Sequence, residues 1–227
     1  MITSTIENYI KQIYMKQQEL PNALLPVGKL AAAMGVVPGT ATAMVKTLAD
    51  AGLVDYEPRS GVRLTRGGEQ LALHVLRRHR ILESFLVKIL GLDWSEVHEE
   101  AEALEHALSD KVLERMDGLL NHPQFDPHGD PIPTASGSVA KPNVVPLNAC
   151  AEGSFLRVAR VSDQDAAFLQ YIEQRGLVPG TQCTLELIDQ QADAITLRLA
   201  TGETITLGGA AAAKIMVSPS ESLDRVL

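Results

Sequence analysis

The spacing of apolar residues predicts a helical first quarter that ends in a hairpin. Between Thr5 and Gln17 apolar side chains recur at three- and four-residue intervals, which is typical of a helix with one buried face. Two shorter helical patterns follow, "LPVGKLAAAMG", ending at Gly35, and "VVPGTATAMVKTLADAG", ending at Gly52. Strand-like "LVDYE" and "VRLT" then flank the turn-forming "PRSG". Helices followed by a two-stranded hairpin predict a winged helix-turn-helix.

The rest of the chain changes from long helical patterns to short strands. One helix is expected from about Glu69 to Leu90, and a second from about Glu96 to Met116 with Ser95 as its N-cap. Residues 121–146 are rich in Pro, Gly and Ser, so they are interpreted as an irregular linker. Beyond them, short strands separated by glycine turns predict a small β-barrel. The fold class is therefore mainly α with a small β module.

Composition narrows the class of protein. The chain has 227 residues, 45% of them hydrophobic, which suffices for a real core. Its two cysteines lack CxxC spacing, and no signal peptide or membrane-spanning stretch is recognisable, so we expect a cytoplasmic protein. The net charge is −8, yet residues 1–70 carry seven basic and six acidic side chains. A near-neutral N-terminal part on an acidic body is compatible with nucleic-acid binding.

The stretch "VHEEAEALEH", residues 97–106, gathers histidines and glutamates. On a helix His98, Glu102 and Glu105 share one face, and His106 extends it. On the preceding helix His79 and Glu83 are four residues apart and project from the same side. Imidazole and carboxylate together suit Mn²⁺, Fe²⁺ or Zn²⁺. A solvated acidic helix with surface salt bridges is the alternative that spacing alone leaves open.

Two other classes of protein remain as alternatives from these patterns. A metalloenzyme would need an open metal position, a base and a cleft, but the sequence shows no HExxH, no nucleophile motif and no phosphate-binding glycine loop. A metal-independent winged-helix regulator would bind DNA in the presence of a chelator. A winged helix can also dock a protein instead of DNA.

The chain resembles the diphtheria toxin repressor family of metal-dependent transcription regulators, including its manganese-responsive branch. The resemblance rests on "RRHRILESFL", "GLDWSEVHEEAEALEHALSD", "VVPGTATAMVKTLADAGLV", the wing "YEPRSGVRLT" and "DPHGDPIP". It implies a winged-helix DNA-binding domain at residues 1–70, a helical metal-binding and dimerisation domain at 71–125, a Pro-rich linker at 126–150 and an SH3-like β-barrel domain at 151–227. It also implies a repressor of metal-homeostasis genes, one that is not an enzyme and that binds operator DNA as a homodimer.

The resemblance further implies two metal sites in each subunit. The primary site would use Asn8, Glu102, Glu105 and His106. The ancillary site would use His79, Glu83 and His98, with a barrel group from Gln164, Asp163 or Asp165. Glu102 stands where iron-type members carry a sulfur ligand, which favours Mn²⁺, and an Fe²⁺-dependent repressor of iron-uptake genes is the alternative. Lys11 stands where some manganese-type members carry a carboxylate, so we expect no closely spaced metal pair.

Two surfaces follow from this interpretation. Contacts with DNA are expected from the recognition helix and the wing, through Pro38, Thr40, Thr42, Lys46, Arg59, Ser60 and Arg63. The dimer is expected on the helices of residues 71–120, with candidate contacts at Leu90, Leu92, Trp94, Leu108 and Val112.

Overall fold

A computed structural model describes residues 3–20 and 23–220 of the chain. The N-terminal part contains α1 (Ser4–Gln18), α2 (Val27–Ala33), α3 (Pro38–Asp50), β1 (Val54–Glu57) and β2 (Gly61–Leu64). The middle part contains α4 (Arg66–Lys88), α5 (Val97–Leu104) and α6 (Asp110–Leu119). The C-terminal part contains β3 (Val145–Pro146), β4 (Phe155–Val161), α7 (Ala166–Glu173), β5 (Gln182–Asp189), β6 (Ala194–Leu199), β7 (Thr204–Gly208), α8 (Gly209–Ala212) and β8 (Ile215–Pro219).

The N-terminal elements form the winged helix that the sequence predicts. Pro38 opens α3 at a position where a missing N–H costs nothing, and β1 pairs with β2 in antiparallel register. A side chain at Gly61 would place its Cβ 2.5 Å from the Leu25 carbonyl oxygen. Only glycine therefore lets the wing approach the backbone at Leu25, which forms an isolated bridge with Val62. The core beneath the helices consists of buried apolar residues, namely Tyr9, Ile13, Leu25, Leu30, Ala31, Ala41, Val45, Leu48, Val54 and Val62.

Residues 96–116, predicted as one helix, instead form the two helices α5 and α6. Ser109 caps α6 by accepting a hydrogen bond from the Val112 N–H at 3.4 Å, which starts a new helix. Glu105 and His106 therefore lie in the turn between the helices, and the prediction that they continue one helical face was wrong. In that turn both side chains find partners on other elements of the chain.

The segment of residues 126–133, expected to be an irregular linker, is irregular but buried. One oxygen of Asp126 accepts the backbone N–H groups of His128 and Asp130, both at 2.9 Å, so the turn is held by its own first side chain. Gly129 has φ +88°, and a Cβ there would lie 2.0 Å from the Ala159 carbonyl oxygen. The turn thus requires glycine to pack against β4.

The C-terminal strands form one antiparallel sheet in the order β3-β8-β4-β5-β6-β7. Its strands carry alternating buried and exposed residues, as half-buried strands do. The core on its inner face includes Leu156, Val158, Leu169, Ile172, Leu185, Leu197, Leu207, Ile215 and Val217. The predicted small β module is confirmed.

The chain separates into two compact units. One comprises Met1–His79, Leu104–Leu108 and Pro133–Val139, and the other comprises Arg80–Ala103, Ser109–Ile132 and Ala140–Leu227. Helix α4 contributes residues to both. Within residues 3–20 and 23–220, every helix is too short or too polar to cross a bilayer.

Candidate metal centre and DNA-binding surface

In the first unit, α1 and the turn after α5 bring charged side chains together away from solvent. The ammonium group of Lys11 lies 2.6 Å from Oε1 of Glu105, and the Nδ1 of His79 donates to Oε2 of the same carboxylate at 2.7 Å. The Glu105 side chain is fully buried. Burial raises the pKa of its carboxyl, but His79 and Lys11 outweigh burial and hold that pKa below its usual value. Glu105 is therefore a fixed anion at the centre of the cluster.

A second pair joins α1 to the same turn. The Nδ1 of His106 lies 2.6 Å from Oε2 of Glu7, and Arg78 donates to the other Glu7 oxygen at 3.3 Å. The Nε2 of His106 points toward Oε1 of Glu105, 3.5 Å away. The two imidazole nitrogens therefore have different surroundings, with one bonded to a carboxylate and the other facing the cluster.

Two buried polar atoms, one on α1 and one in the turn after α5, lack a hydrogen-bond partner in the described parts of the chain. The Oδ1 of Asn8 and the Nε2 of His106 are buried, and neither has a hydrogen-bond partner among the described residues. A buried acceptor without a partner costs roughly 1–3 kcal/mol, so such atoms need an explanation. Amide oxygen, imidazole nitrogen and carboxylate oxygen are the ligands that divalent first-row metals accept. The residues present fit a metal ion, with Asn8, Glu105 and His106 as its holders.

The second unit contains another convergence of ligand atoms. Glu83, Asp126 and His128 are all buried, and one ligand atom from each lies within 4.8 Å of the others. The Nε2 of His128 bonds to the carbonyl oxygen of Trp94 at 2.8 Å, while its Nδ1 is buried without a hydrogen-bond partner in the described chain. Burial, followed by the nearby carboxylates of Glu83 and Asp130, holds the pKa of Asp126 well above its usual range. Such crowding of buried carboxyl groups favours a cation.

Of the residues expected for an ancillary site, His79 belongs to the first unit, and Glu83 and His98 belong to the second. The Nδ1 of His98 lies 3.3 Å from Glu83, and its Nε2 lies 3.8 Å from Glu102. His79, by contrast, has its Nδ1 on Glu105 in the first unit. Within the second unit these contacts bring the two expected residues Glu83 and His98 together, beside Glu102, which was expected at the primary site.

The barrel residues expected at that site have other contacts. Asp163 pairs with Lys214, whose contact holds the pKa of the Asp163 carboxyl low, and Asp165 caps α7 by accepting the Phe168 N–H. Gln164, between them, is half-buried. Neither aspartate joins a group of converging ligand atoms within the described part of the chain.

Sequence reasoning missed Glu7, Asp126 and His128. Glu7 stands beside the expected ligand Asn8, and only the folded chain brings it to His106, 99 residues away. Asp126 and His128 were interpreted as linker because Pro and Gly surround them. The available signal was the spacing D-x-H-x-D in "DPHGDP", which places three residues of metal-ligating type within five positions.

The recognition helix α3 exposes the residues expected to contact DNA. Pro38, Thr40 and Lys46 are exposed, and Val37, immediately before the helix, is 68% exposed. The hydroxyl of Thr42 donates to the Pro38 carbonyl oxygen at 2.7 Å, so its donor is already used within the helix. This face offers apolar and backbone groups rather than many hydrogen-bond donors.

The wing carries its basic residues in two different environments. Arg59 is exposed and has φ +72°, in the left-handed region, where it forms the tip of the hairpin with exposed Ser60. Arg63 lies on β2 and pairs with Asp55 across the hairpin at 3.2 Å. Arg59 therefore has the more available positive charge.

The expected dimer contacts differ in exposure. Leu90 and Val112 are exposed apolar residues, as are Ile89 and Leu119 nearby in sequence. Leu92 and Leu108 are half-buried. Trp94 is buried and belongs to the core of the C-terminal sheet within one chain. The interpretation of Trp94 as a dimer contact was wrong, because its ring packs against His128 of the same subunit.

Comparison with known proteins identifies relatives along the chain. Residues 1–62 match the model of the iron-dependent repressor N-terminal DNA-binding domain, residues 65–134 that of the iron-dependent repressor metal-binding and dimerisation domain, and residues 145–219 that of the FeoA domain. The iron-dependent repressor IdeR of Mycobacterium leprae is 30% identical over 82% of this chain and 85% of its own length. The HTH-type transcriptional regulator MntR of Bacillus velezensis is 34% identical over 56% of this chain and 87% of its own. A manganese-dependent transcriptional repressor solved in complex with manganese is 41% identical, with a TM-score of 0.88 over 94% of this chain and 99% of that one.

Proposed function

Because the chain belongs to the iron-dependent repressor family, we propose that it is a manganese-activated member in which metal binding controls the position of α1. Members of this family are metal-dependent transcriptional repressors that bind operator DNA as dimers, and this protein is one of them. Its targets are genes of metal-ion homeostasis. We propose further that it acts in the cytoplasm, where DNA is, and that the metal has a regulatory and not a catalytic role.

The choice of metal rests on the types of ligand atom that the first unit offers. Two buried atoms without hydrogen-bond partners in the described chain are the amide oxygen of Asn8 and an imidazole nitrogen of His106, and the His106 nitrogen lies 3.5 Å from the carboxylate of Glu105. These are hard or intermediate ligands, which suit Mn²⁺ better than ligands containing sulfur would. Both cysteines, Cys150 and Cys183, lie in the second unit instead. Glu102 is proposed as the fourth ligand, as the family resemblance implies.

The activation proposed here follows from which elements supply the ligands. Asn8 belongs to α1, part of the DNA-binding region, whereas Glu105 and His106 belong to the turn before α6. A bound cation supplies positive charge that draws these two segments together. Holding α1 against the turn fixes the winged helix in one position, and a dimer must hold its two recognition helices one DNA turn apart. Fe²⁺, which the name of IdeR implies for that relative, is the alternative activator.

For the second metal position we propose Glu83, Asp126 and His128, with His98 beside Glu83. The supporting observation is the buried Nδ1 of His128, whose other nitrogen is already bonded to a backbone carbonyl. In this proposal His98 remains a ligand of the ancillary site, as the family resemblance implied. His79 donates its Nδ1 proton to Glu105 and so supports the first site from outside.

We also propose that function divides along the chain as the sequence suggests. The winged helix at 1–70 would bind DNA, the helices at 71–125 would dimerise and hold metal, and the SH3-like domain at 151–227 would stabilise the segment that carries Asp126 and His128. The linker at 126–150 would then contribute ligands through its first residues. The DNA contacts proposed are the exposed Pro38, Thr40, Lys46, Arg59 and Ser60, with weaker roles for Thr42 and Arg63 because their polar groups already have partners.

The deciding experiment measures DNA binding across a series of metals at one salt concentration. A duplex is first selected from a random pool by the protein with Mn²⁺, and its affinity is then measured with chelator, Mn²⁺, anaerobic Fe²⁺, Zn²⁺ and Mg²⁺. We expect no specific binding in chelator or with Mg²⁺, and half-saturation with Mn²⁺ at a free concentration no higher than with Fe²⁺. Undiminished binding in chelator would establish a metal-independent regulator. A stronger response to Fe²⁺ than to Mn²⁺ at equal free concentration would establish the iron-dependent alternative.

The two metal positions are separated by anomalous diffraction from crystals grown with Mn²⁺. We expect one peak contacting Asn8 Oδ1 and His106 Nε2, and a second contacting His128 Nδ1. In the His128→Ala variant only the second peak should disappear. Two peaks that both persist in His128→Ala would show that the buried cluster around Asp126 does not hold metal.

A further inference from the structure

We propose that Glu7 is the positioning residue of the metal centre, because it fixes the proton and the ring orientation of His106 so that Nε2 faces the metal. The inference rests on the proposed metal function and assigns a role to a residue that is not itself a ligand. Glu7 lies on α1 beside Asn8, so one turn of this helix would contact the site in two ways. Asn8 would reach the metal directly, and Glu7 would reach it through an imidazole.

The contact between Glu7 and His106 is short and sheltered. Oε2 of Glu7 lies 2.6 Å from Nδ1 of His106, and the side chains are 11% and 18% exposed. A carboxylate can only accept, so Nδ1 carries a proton in this contact. That leaves Nε2 with the lone pair that a metal requires. Metal-binding histidines commonly donate their second nitrogen to a carboxylate, which fixes the tautomer and makes the ring a better ligand.

The surroundings of Nε2 argue against a simple ion pair between Glu7 and a doubly protonated His106. A protonated Nε2 would need an acceptor, yet it is buried without a hydrogen-bond partner among the described residues. The nearest carboxylate oxygen is Oε1 of Glu105 at 3.5 Å, longer than an ordinary N–H···O bond, and it already accepts from Lys11 at 2.6 Å. The neutral ring with its lone pair on Nε2 fits these distances better.

Glu7 is itself held in place from its other side. Oε1 accepts from Nη1 of Arg78 at 3.3 Å, and Nη2 of Arg78 bonds to His74 at 2.9 Å. Arg78 and His74 are one turn apart on α4 and therefore form a rigid support. The series His74, Arg78, Glu7, His106 links α4 to α1 and then to the turn that carries the ligand. A displacement of α1 would misplace Asn8 and release His106 at the same time.

The test compares Glu7→Gln and Glu7→Ala with the matched control Glu19→Gln. Glu19 is an exposed acidic residue that caps the C-terminal end of the same helix and pairs with Lys16 at 2.8 Å. One readout is the ¹⁵N spectrum of the imidazole nitrogens in metal-free protein, with His106 assigned from its absence in His106→Gln. The other is the Mn²⁺ affinity of the first site, measured calorimetrically in His128→Ala so that the second site is silent.

In the parent protein we expect a single His106 tautomer with the proton on Nδ1. Glu7→Ala should give a mixture of tautomers and a loss of Mn²⁺ affinity of about 10–100-fold, the usual effect of removing such a support. Glu7→Gln, which keeps the shape and an acceptor oxygen, should lose less, and Glu19→Gln should match the parent in both readouts. If Glu7→Ala fails to fold by circular dichroism, Glu7→Met, which fills similar space but offers no oxygen acceptor, decides the matter through the same spectrum.

The proposal is overturned if the tautomer is unchanged in a folded Glu7 variant that lacks an acceptor oxygen, even where affinity falls, because Glu7 would then act only through its charge or packing. It is also overturned if His106 in the parent carries its proton on Nε2. A parent protein that binds no Mn²⁺ while showing the expected tautomer would refute the proposed metal function instead. The spectrum of the metal-free protein therefore separates the two failures.

Discussion

The pair between Lys11 and Glu105 allows a prediction of how strongly α1 is held before metal binds. Its atoms are 2.6 Å apart, and the two side chains are 3% and 0% exposed. Removing one partner of a buried pair leaves an uncompensated charge, which costs about 3–5 kcal/mol. Lys11→Met keeps the length of the side chain and removes the charge. Because His79 still donates to the second oxygen of Glu105, we expect the lower end, about 3 kcal/mol.

Hydrogen exchange of the α1 amides measures this loss where it occurs. At about 1.4 kcal/mol for each factor of ten, a loss of about 3 kcal/mol lowers the protection of the Ile10 and Ile13 amides by roughly 100-fold. The matched control is Lys16→Met, whose partner Glu19 is exposed, and such a surface pair contributes only about 0–1 kcal/mol. Adding Mn²⁺ should restore more protection in Lys11→Met than in the parent, because a cation beside Glu105 compensates the missing charge. Equal losses in the two lysine variants would refute the view that this pair holds α1.

Three further outcomes follow from the same structure. Arg59→Ala should weaken binding to every duplex and lower the slope of log affinity against log salt by about one, and an unchanged slope would remove Arg59 from the interface. Burial raises the pKa of the Cys183 thiol to about 11, so iodoacetamide at pH 8 should label it only after unfolding in urea, and rapid labelling of the folded protein would contradict its buried position. Leu90→Asp should convert the dimer to a monomer in light scattering at micromolar concentration, whereas an intact dimer would exclude this exposed leucine from the interface.

The winged helix and the strands could be predicted because their patterns are local. Helical spacing, the proline that opens α3 and the "PRSG" turn each act within a few residues. The break at Glu105 could not be predicted in the same way, since "EALEHALSD" keeps a helical spacing of apolar residues to Leu108. The turn has partners on a distant element, since Lys11 contacts Glu105 and Glu7 contacts His106.

Only part of the candidate site could be predicted, because some of its residues lie in a segment whose local pattern resembles an exposed linker. Residue types and the family resemblance indicated Asn8, Glu105 and His106, which the fold does bring into one unit. Asp126 and His128 were not predicted as ligands, because a buried turn and an exposed linker can have the same Pro- and Gly-rich composition. What distinguishes them is whether the polar groups of the turn find partners inside the fold, which a local pattern does not encode.

The measurement that tests the central claim most directly is DNA binding by Glu102→Ala, titrated with Mn²⁺ beside the parent protein at one salt concentration. Circular dichroism and the metal-free hydrogen exchange of α1 serve as controls for folding. The parent should bind its selected duplex only as Mn²⁺ is added, and Glu102→Ala should stay folded but lose that response. If Glu102→Ala responds to Mn²⁺ as the parent does, then the activating metal is not held where we propose and the acidic stretch of α5 is a solvated surface.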